Sequence, residues 1–367
     1  MPNRALLWGL RVVFGVASRL DRRVVPDRPE AVERILVVNT TAIGDTLLST
    51  PAIRALRQRF PRARLVALAS PDAEQVLRGS PHLDALIHHP GRVDLRYLAH
   101  LPRLLREIRR EHFDLVVILH ANDPDIVPLA YLSRAPHRIG WAGSRLAFLL
   151  TIPVRTRTGL HLIDERLGNL RALGVSGSGE MELHLHEEEE PRVDRFLAEQ
   201  GWQGEPLVGV HPFGGKPYKW WPGEAVVALG DRLQAEGRRA VLLGGRREMA
   251  PARAIVAGMR QPPLVAAGVL SVRESAALIR RLQCLVSTDS GLMHVAQALG
   301  TPLVALFGPT DPAQVGPRRP PAITLRHPSG RTEAITVEEV LGAVAMLESD
   351  RSGAGVGRAM AASPTCP

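Results

Sequence analysis

Cysteine is nearly missing from this chain of 367 residues: Cys284 and Cys366 have neither a metal-binding spacing nor the makings of a disulfide framework. That scarcity suits a reducing compartment. Aromatic residues make up only 4%, so the cores fall to Leu, Val, Ala and Ile. The apolar stretch in residues 1–20 is interrupted by Arg4, Arg11 and Arg19. It falls well short of the ~20 apolar residues that span a bilayer. It also lacks the clean apolar core and small-residue cleavage site of a secretory signal. Two readings remain for it: a basic amphipathic helix resting on an anionic membrane surface, or a helix packed on the protein's own domain.

Lysine is scarce in a different way. Of 46 lysines and arginines, only Lys216 and Lys219 are lysine, and both sit in one loop, His211 to Lys219. A compact ammonium suits contact with phosphate; with two residues, chance placement is the alternative. The net charge of +9 admits nucleic acid, a membrane surface or anionic substrates as partners. The arginines are scattered and no nucleic-acid-binding motif accompanies them, so nucleic acid is not an expected partner.

What is present is a repeated alternation of short apolar runs and helical patterns. Residues 34–38, 65–69 and 114–119 read as strands, the last continuously apolar and therefore buried on both faces. Helical spacing follows the first strand to about Phe60 and returns over 95–111. Residues 174–191 change character, with Gly-Val-Ser-Gly-Ser-Gly and then four glutamates, Glu187 to Glu190. They read as a linker followed by a solvated helix start. The alternation then begins again, with strands at 207–211, 240–243, 284–288 and 303–307 and helices at 223–236, 272–282 and 291–299. Two α/β units with parallel sheets are expected. The tail from Ser349 is rich in Gly, Ala, Ser and Pro and reads as unstructured.

Ligands of open α/β sheets bind beyond the carboxyl ends of the strands, so the residues after each strand matter most. The first strand leads into Asn39-Thr40-Thr41-Ala42-Ile43-Gly44-Asp45, which has no G-x-G-x-x-G fingerprint and so argues against a dinucleotide-dependent oxidoreductase. Asp45 there is either a helix cap or a general base. The strand at 284–288 leads into Asp289-Ser290-Gly291-Leu292-Met293-His294 and then a helix. Free N–H groups at such a helix start form an anion site; an Asp/Ser cap with a surface histidine is the plainer alternative. Glu248, just past the strand at 240–243, can accept from ribose hydroxyls or simply face solvent. Asp123-Pro124-Asp125 has the form of a metal-binding D-x-D but reads as a turn and helix start.

Taken in order, these segments resemble the lipopolysaccharide heptosyltransferases of glycosyltransferase family 9. The resemblance runs through ILVVNTTAIGDTLLSTP (35–51), DLVVILHAN (114–122), Arg138-Ile139-Gly140, HPFGGKPYKWWP (211–222) and STDSGLMHVAQALGTPLVALFGPTDP (287–312), over roughly residues 33–345. It implies a GT-B fold, two Rossmann-like domains facing each other across a cleft. The boundaries are then a basic extension at 1–30, an acceptor-side domain at 31–180, a nucleotide-sugar-binding domain at 181–348 and the tail at 349–367. It implies inverting, metal-independent transfer of heptose from ADP-heptose to a lipid-linked core acceptor, with no cofactor, at the cytoplasmic face of the inner membrane. By matching position, Asp45 is the base, Lys219 and the Ser290-Gly291 backbone hold the diphosphate, Glu248 holds the ribose, and Asp289 and His294 line the donor site. Phe213 stands where the family has Gly, and Trp220 where it has Arg. A same-family transferase using another nucleotide sugar, and a non-catalytic nucleotide-sugar-binding protein, are the alternatives.

Overall fold

The computed structural model describes residue 15 and residues 32–91, 94–120, 125–155 and 159–360. The expected membrane-surface helix in residues 1–23 thus lies outside the described residues, Gly15 apart. The chain divides into two compact units, Met1–His184 and Leu185–Pro367.

The first unit carries strands β1 (Arg34–Asn39), β2 (Arg64–Ala69), β3 (Ala85–His88), β4 (Leu115–Ile118), β5 (His137–Trp141) and β6 (Ile152–Val154). Between and after them run helices α1 (Ile43–Leu47), α2 (Thr50–Arg59), α3 (Pro71–Leu77), α4 (Leu95–Arg110), α5 (Ile126–Leu132) and α6 (Leu162–Leu170). The strands form one sheet in the order β3-β2-β1-β4-β5-β6, every pair parallel.

The second unit repeats the plan with β7 (Leu207–His211), β8 (Arg239–Leu242), β9 (Leu264–Val265), β10 (Cys284–Thr288), β11 (Leu303–Phe307) and β12 (Ala322–Arg326). Its helices are α7 (Glu190–Glu199), α8 (Gly223–Ala235), α9 (Met249–Gly258), α10 (Val272–Arg281), α11 (Gly291–Leu299), α12 (Pro312–Val315) and α13 (Val337–Met360). Its sheet order is β12-β11-β10-β7-β8-β9, again parallel throughout. Read from the first strand of each unit, both orders are the Rossmann arrangement, in which two half-sheets run outward in opposite directions from a central pair.

The central strands are apolar without interruption because helices cover both faces. Along β1, successive side chains alternate between those faces. Ile35 and Val37 pack with Ala52, Ile53 and Leu56 of α2 on one side. Leu36 and Val38 pack with Tyr97, Leu104 and Ile108 of α4 on the other. In the second unit Val208, Val210, Val286 and Val304 pack against Val226, Leu229 and Leu233 of α8 and Val340 and Val344 of α13.

Three expectations need correcting. The helix read as continuous to Phe60 is two helices, because Pro51 lies in the first turn of α2 and favours a helix start there. Of the four glutamates read as a solvated helix start, Glu187 and Glu188 are exposed as expected, but the other two are paired. Glu189 is buried against Arg273, and Glu190 pairs with both Arg280 and Arg281. Finally, α13 runs to Met360, so the chain is helical through residues read as unstructured from Ser349.

Candidate active site

In each unit the strand order reverses between the first strand and its neighbour, β4 in one case and β10 in the other. The loops leaving the carboxyl ends of those two strands diverge there and leave a crevice, the usual ligand position of such sheets.

In the second unit the two strands end at His211 and Thr288. Lys219 closes a short 3-10 turn, Pro217–Lys219, in the loop after β7. Its Nζ donates to Asp289 Oδ2 at 2.6 Å. Gly214 makes this possible: a Cβ there would lie 2.6 Å from the Cβ of Lys219, so only glycine lets the lysine lie against the loop. Ser290 occupies the N-cap position of α11 with extended backbone, φ −155 and ψ 172, but its hydroxyl makes no capping bond. Instead its Oγ lies 3.0 Å from Nδ1 of His211 and 3.1 Å from Oγ of Ser287. The N–H groups at the start of α11, beginning with Gly291, are therefore not taken by the serine. Such groups, at the positive end of a helix, attract anions.

His211 is buried, and burial pushes its pKa down to about 4, so the imidazole under Ser290 is neutral at pH 7. Thr288 Oγ1, buried at the end of β10, has no hydrogen-bond partner among the described residues. His294 is buried in the body of α11 rather than exposed on its surface.

Phe213 and Trp220, the two departures from the family pattern, form an edge-to-face aromatic pair beside this loop. Their ring centroids are 5.2 Å apart at 75°, and Phe213 meets His211 edge-on at 6.0 Å. The Trp220 indole donates to the carbonyl of Gly214 at 3.0 Å, which fixes the loop that carries Lys219. Phe213 also reaches the loop after β8. A Cβ added at Gly244 would lie 3.2 Å from Phe213 and 3.3 Å from the Cβ of Glu248. Glu248 thus adjoins the same loop system, with Oε2 accepting from the backbone N–H of Gly245 at 2.8 Å. One of its carboxylate oxygens is already used in closing its own turn.

In the first unit, Thr40 Oγ1 lies 3.0 Å from Nε2 of His120, a contact that ties the ends of β1 and β4 together. Asp45 is not the cap of α1; Ala42 holds that position, and Asp45 lies in the first helical turn. Its Oδ1 accepts from Nη2 of Arg166 at 3.0 Å, and Arg166 also donates to its backbone carbonyl. The Asp45 side chain is 47% exposed while that of Arg166 is 7% exposed. Burial pushes the guanidinium below its usual pKa, and Asp45 opposes that shift. A half-exposed carboxylate is thereby held in one orientation by a buried cation. Of the D-x-D, Asp123 and Pro124 lie outside the described residues; Asp125 precedes α5 and lies 3.1 Å from Nε2 of His89.

The structure therefore gathers Lys219, Asp289, Ser290 and Gly291 in one crevice, with His294 further along α11 and Glu248 beside it, and places Asp45 in the other unit. Sequence reasoning missed His211, His120 and Arg166. The two histidines end or directly follow strands at the ligand edge, so the strand-end rule that singled out Asp289 applies to them as well. Arg166 is 121 positions from Asp45 and carries no local signal.

Residues 101–342 match glycosyltransferase family 9, the heptosyltransferase family. The chain is 28% identical over 281 residues to lipopolysaccharide heptosyltransferase 3 of Escherichia coli, covering 73% of this chain and 81% of that protein. Its fold is similar to that of the family 9 glycosyl transferase of Veillonella parvula, with a TM-score of 0.79 and 28% identity, covering 87% of this chain and 97% of the other. It is also similar to that of Escherichia coli ADP-heptose heptosyltransferase II, with a TM-score of 0.76 and 24% identity, covering 87% and 99%. Two parallel Rossmann-like units on one chain, alike in fold to these structures, make the fold class GT-B. With well over half of its length matched, the chain belongs to glycosyltransferase family 9, the heptosyltransferases, and is a glycosyltransferase.

Proposed function

We propose that this enzyme transfers heptose from ADP-heptose to a lipid-linked lipopolysaccharide core acceptor, with inversion and without a metal ion in the transfer step. The observation that carries the proposal is the pairing of a scarce lysine with an uncapped helix start. Lys219 is held by Asp289 beside the first residues of α11, where Ser290 leaves the N–H groups to a ligand. That is the equipment for a diphosphate leaving group. The names of the relatives supply the sugar, since those proteins are lipopolysaccharide heptosyltransferases.

In this mechanism an acceptor hydroxyl attacks the anomeric carbon from the face opposite the diphosphate. Its O–H proton passes to the Asp45 carboxylate as the new C–O bond forms. The bond from the anomeric carbon to the diphosphate oxygen breaks, and its electron pair leaves with ADP. The Lys219 ammonium and the N–H groups of Ser290 and Gly291 stabilise the charge that grows there. Arg166 keeps the base in position, Glu248 holds the ribose, and His294 and Asp289 line the donor pocket. The acceptor places the enzyme at the cytoplasmic face of the inner membrane; among the described residues no helix is long and apolar enough to cross a membrane.

A second reading, another nucleotide sugar and another glycan, is favoured by one feature. Phe213 and Trp220 replace smaller or charged residues of the family beside the loop that carries Lys219. Transfer assays with ADP-, UDP-, GDP- and TDP-linked sugars separate the two: ADP-heptose should be turned over fastest, and a clear preference for another donor overturns the assignment. Transfer should persist in excess chelator; restoration of a chelator-treated, inactive enzyme by Mg2+ or Mn2+ would refute the metal-free step.

A further inference from the structure

Away from both crevices, His82 meets Glu182 and His184, about a hundred positions further along the chain, at the end of the first unit. His82 Nε2 and His184 Nε2 each lie 3.0 Å from the same carboxylate oxygen, Oε2 of Glu182. One ligand atom from each of the three residues lies within 4.8 Å of the others. The other oxygen, Oε1, is held by Arg54, so Oε2 is the one presented to the imidazoles. We propose that His82, Glu182 and His184 form a site for a divalent first-row transition ion of the zinc or cobalt class, which clasps the segment leading into the second unit onto the first.

The geometry suits such an ion. Tetrahedral zinc with bonds of about 2.0 Å to nitrogen and oxygen sets its ligand atoms roughly 3.3 Å apart. The two nitrogen–oxygen separations here are 3.0 Å and the two nitrogens lie within 4.8 Å of each other, so the ion requires the imidazoles to turn toward a common point. Two imidazoles and one carboxylate favour zinc, cobalt or nickel over magnesium or calcium, which take oxygen ligands. Ile53, Val76 and Leu77 wall a cavity of about 10 Å³ beside the three side chains. That is room for about one water-sized occupant, with an apolar lining that shields it from bulk solvent. The three ligands are half-buried, with side-chain exposures of 20%, 16% and 39%, which leaves a path for entry.

The position gives the ion a purpose. Residues 178–184 are the last of the first unit before Leu185 opens the second. Helix α2 already grips them: Arg54 donates to Ser178 Oγ at 2.8 Å and to the Glu180 carbonyl at 2.9 Å, and the Glu182 N–H donates to Thr50 Oγ1 at 3.0 Å. All of those contacts come from one helix. His82, which follows α3, reaches the segment from a second part of the unit through its contact with Glu182 Oε2; coordination to a shared ion would strengthen that anchor and stiffen the segment at its exit.

The test uses the full-length untagged chain, stripped with chelator and titrated with Co2+ and then Zn2+. One equivalent of Co2+ should bind and give the visible absorption of a low-coordinate site, with Zn2+ displacing it and Mg2+ failing to compete. His82→Ala and His184→Ala should each weaken binding by at least about tenfold, the loss seen even for outer partners of a metal site. Zn2+ should slow amide exchange across 178–184 in the parent chain but not in Glu182→Gln. Absence of stoichiometric binding overturns the proposal and leaves a metal-free His–Glu–His hydrogen-bond cluster. Undiminished binding by both histidine variants also overturns it, assigning the ion to other histidines. If one variant fails to fold, the other and Glu182→Gln decide. These readouts do not depend on transfer, so their failure leaves the proposed function untouched.

Discussion

The two units share a strand order yet present opposite chemistry at the same topological place. After β1 the first unit offers a half-exposed carboxylate, Asp45, fixed by the buried Arg166. After β7 and β10 the second offers an ammonium and open helix N–H groups, with the carboxylate of Asp289 serving to hold the lysine. The burial differs too. The histidine under Ser290 is buried and neutral at pH 7, whereas the Asp45 side chain is half-exposed. A Rossmann sheet thus fixes where a ligand can sit and leaves the sign of the site to a handful of loop residues. One copy presents a carboxylate and the other a cation beside open helix N–H groups, the division of labour that the proposed transfer would use.

Removing each side in turn tests that division of labour. The largest effect is expected from Asp45→Asn, which keeps the shape of the side chain and its neighbours. Turnover should fall about 10²- to 10⁴-fold, the range of a lost general base, while ADP affinity stays within about twofold. Equal loss of both, measured by initial rates and calorimetry, would dissolve the distinction between the two units.

Acid should reveal the second unit next. The pKa of His211 is pushed down to about 4 in the folded chain against 6.5 as its ordinary value. The folded state therefore binds fewer protons than the unfolded one across that window. Stability is full above pH 6.5 and is lost as pH falls toward 4, by on the order of 3 kcal/mol. Chemical denaturation at pH 7 and pH 4.5 should show a smaller acid loss in His211→Asn than in the parent; an identical loss would mean the histidine is not the sensor.

Lys219→Ala is expected to weaken ADP binding by about 10- to 100-fold, the worth of one charged hydrogen bond. Turnover should fall as well even at saturating donor, because in the proposed step the lysine also stabilises the charge growing on the leaving group. Unchanged ADP affinity would remove the lysine from the phosphate site and leave the helix start to act alone.

Much of this arrangement could be read before any coordinates. The central strands β1, β7, β10 and β11 announce themselves as apolar runs because both of their faces are covered, and the ends of β7, β10 and β11 fall where the sequence puts them. The edge strands β3, β6, β9 and β12 were not legible. β9 has two residues, β6 three, and β12 alternates half-buried with exposed positions. One open side removes the demand for continuous hydrophobicity, and with it the signal. Glu187 to Glu190 looked solvated because a charge run says nothing about its partners. For Glu189 and Glu190, Arg273, Arg280 and Arg281 supply them from α10, some eighty to ninety positions away.

The sequence by itself determined the two α/β units, the polar loops at the carboxyl ends of their strands and the family resemblance, since hydrophobic period and motif order are local properties. Only the tertiary structure decided what holds those loops. Asp289 was found to grip Lys219, His211 to draw Ser290 away from its cap, and Arg166 to steady Asp45, across 70, 79 and 121 positions. The physical reason is the same in each case. A polar side chain taken from water must find a partner, and the one it finds is whichever the packed sheet brings within reach.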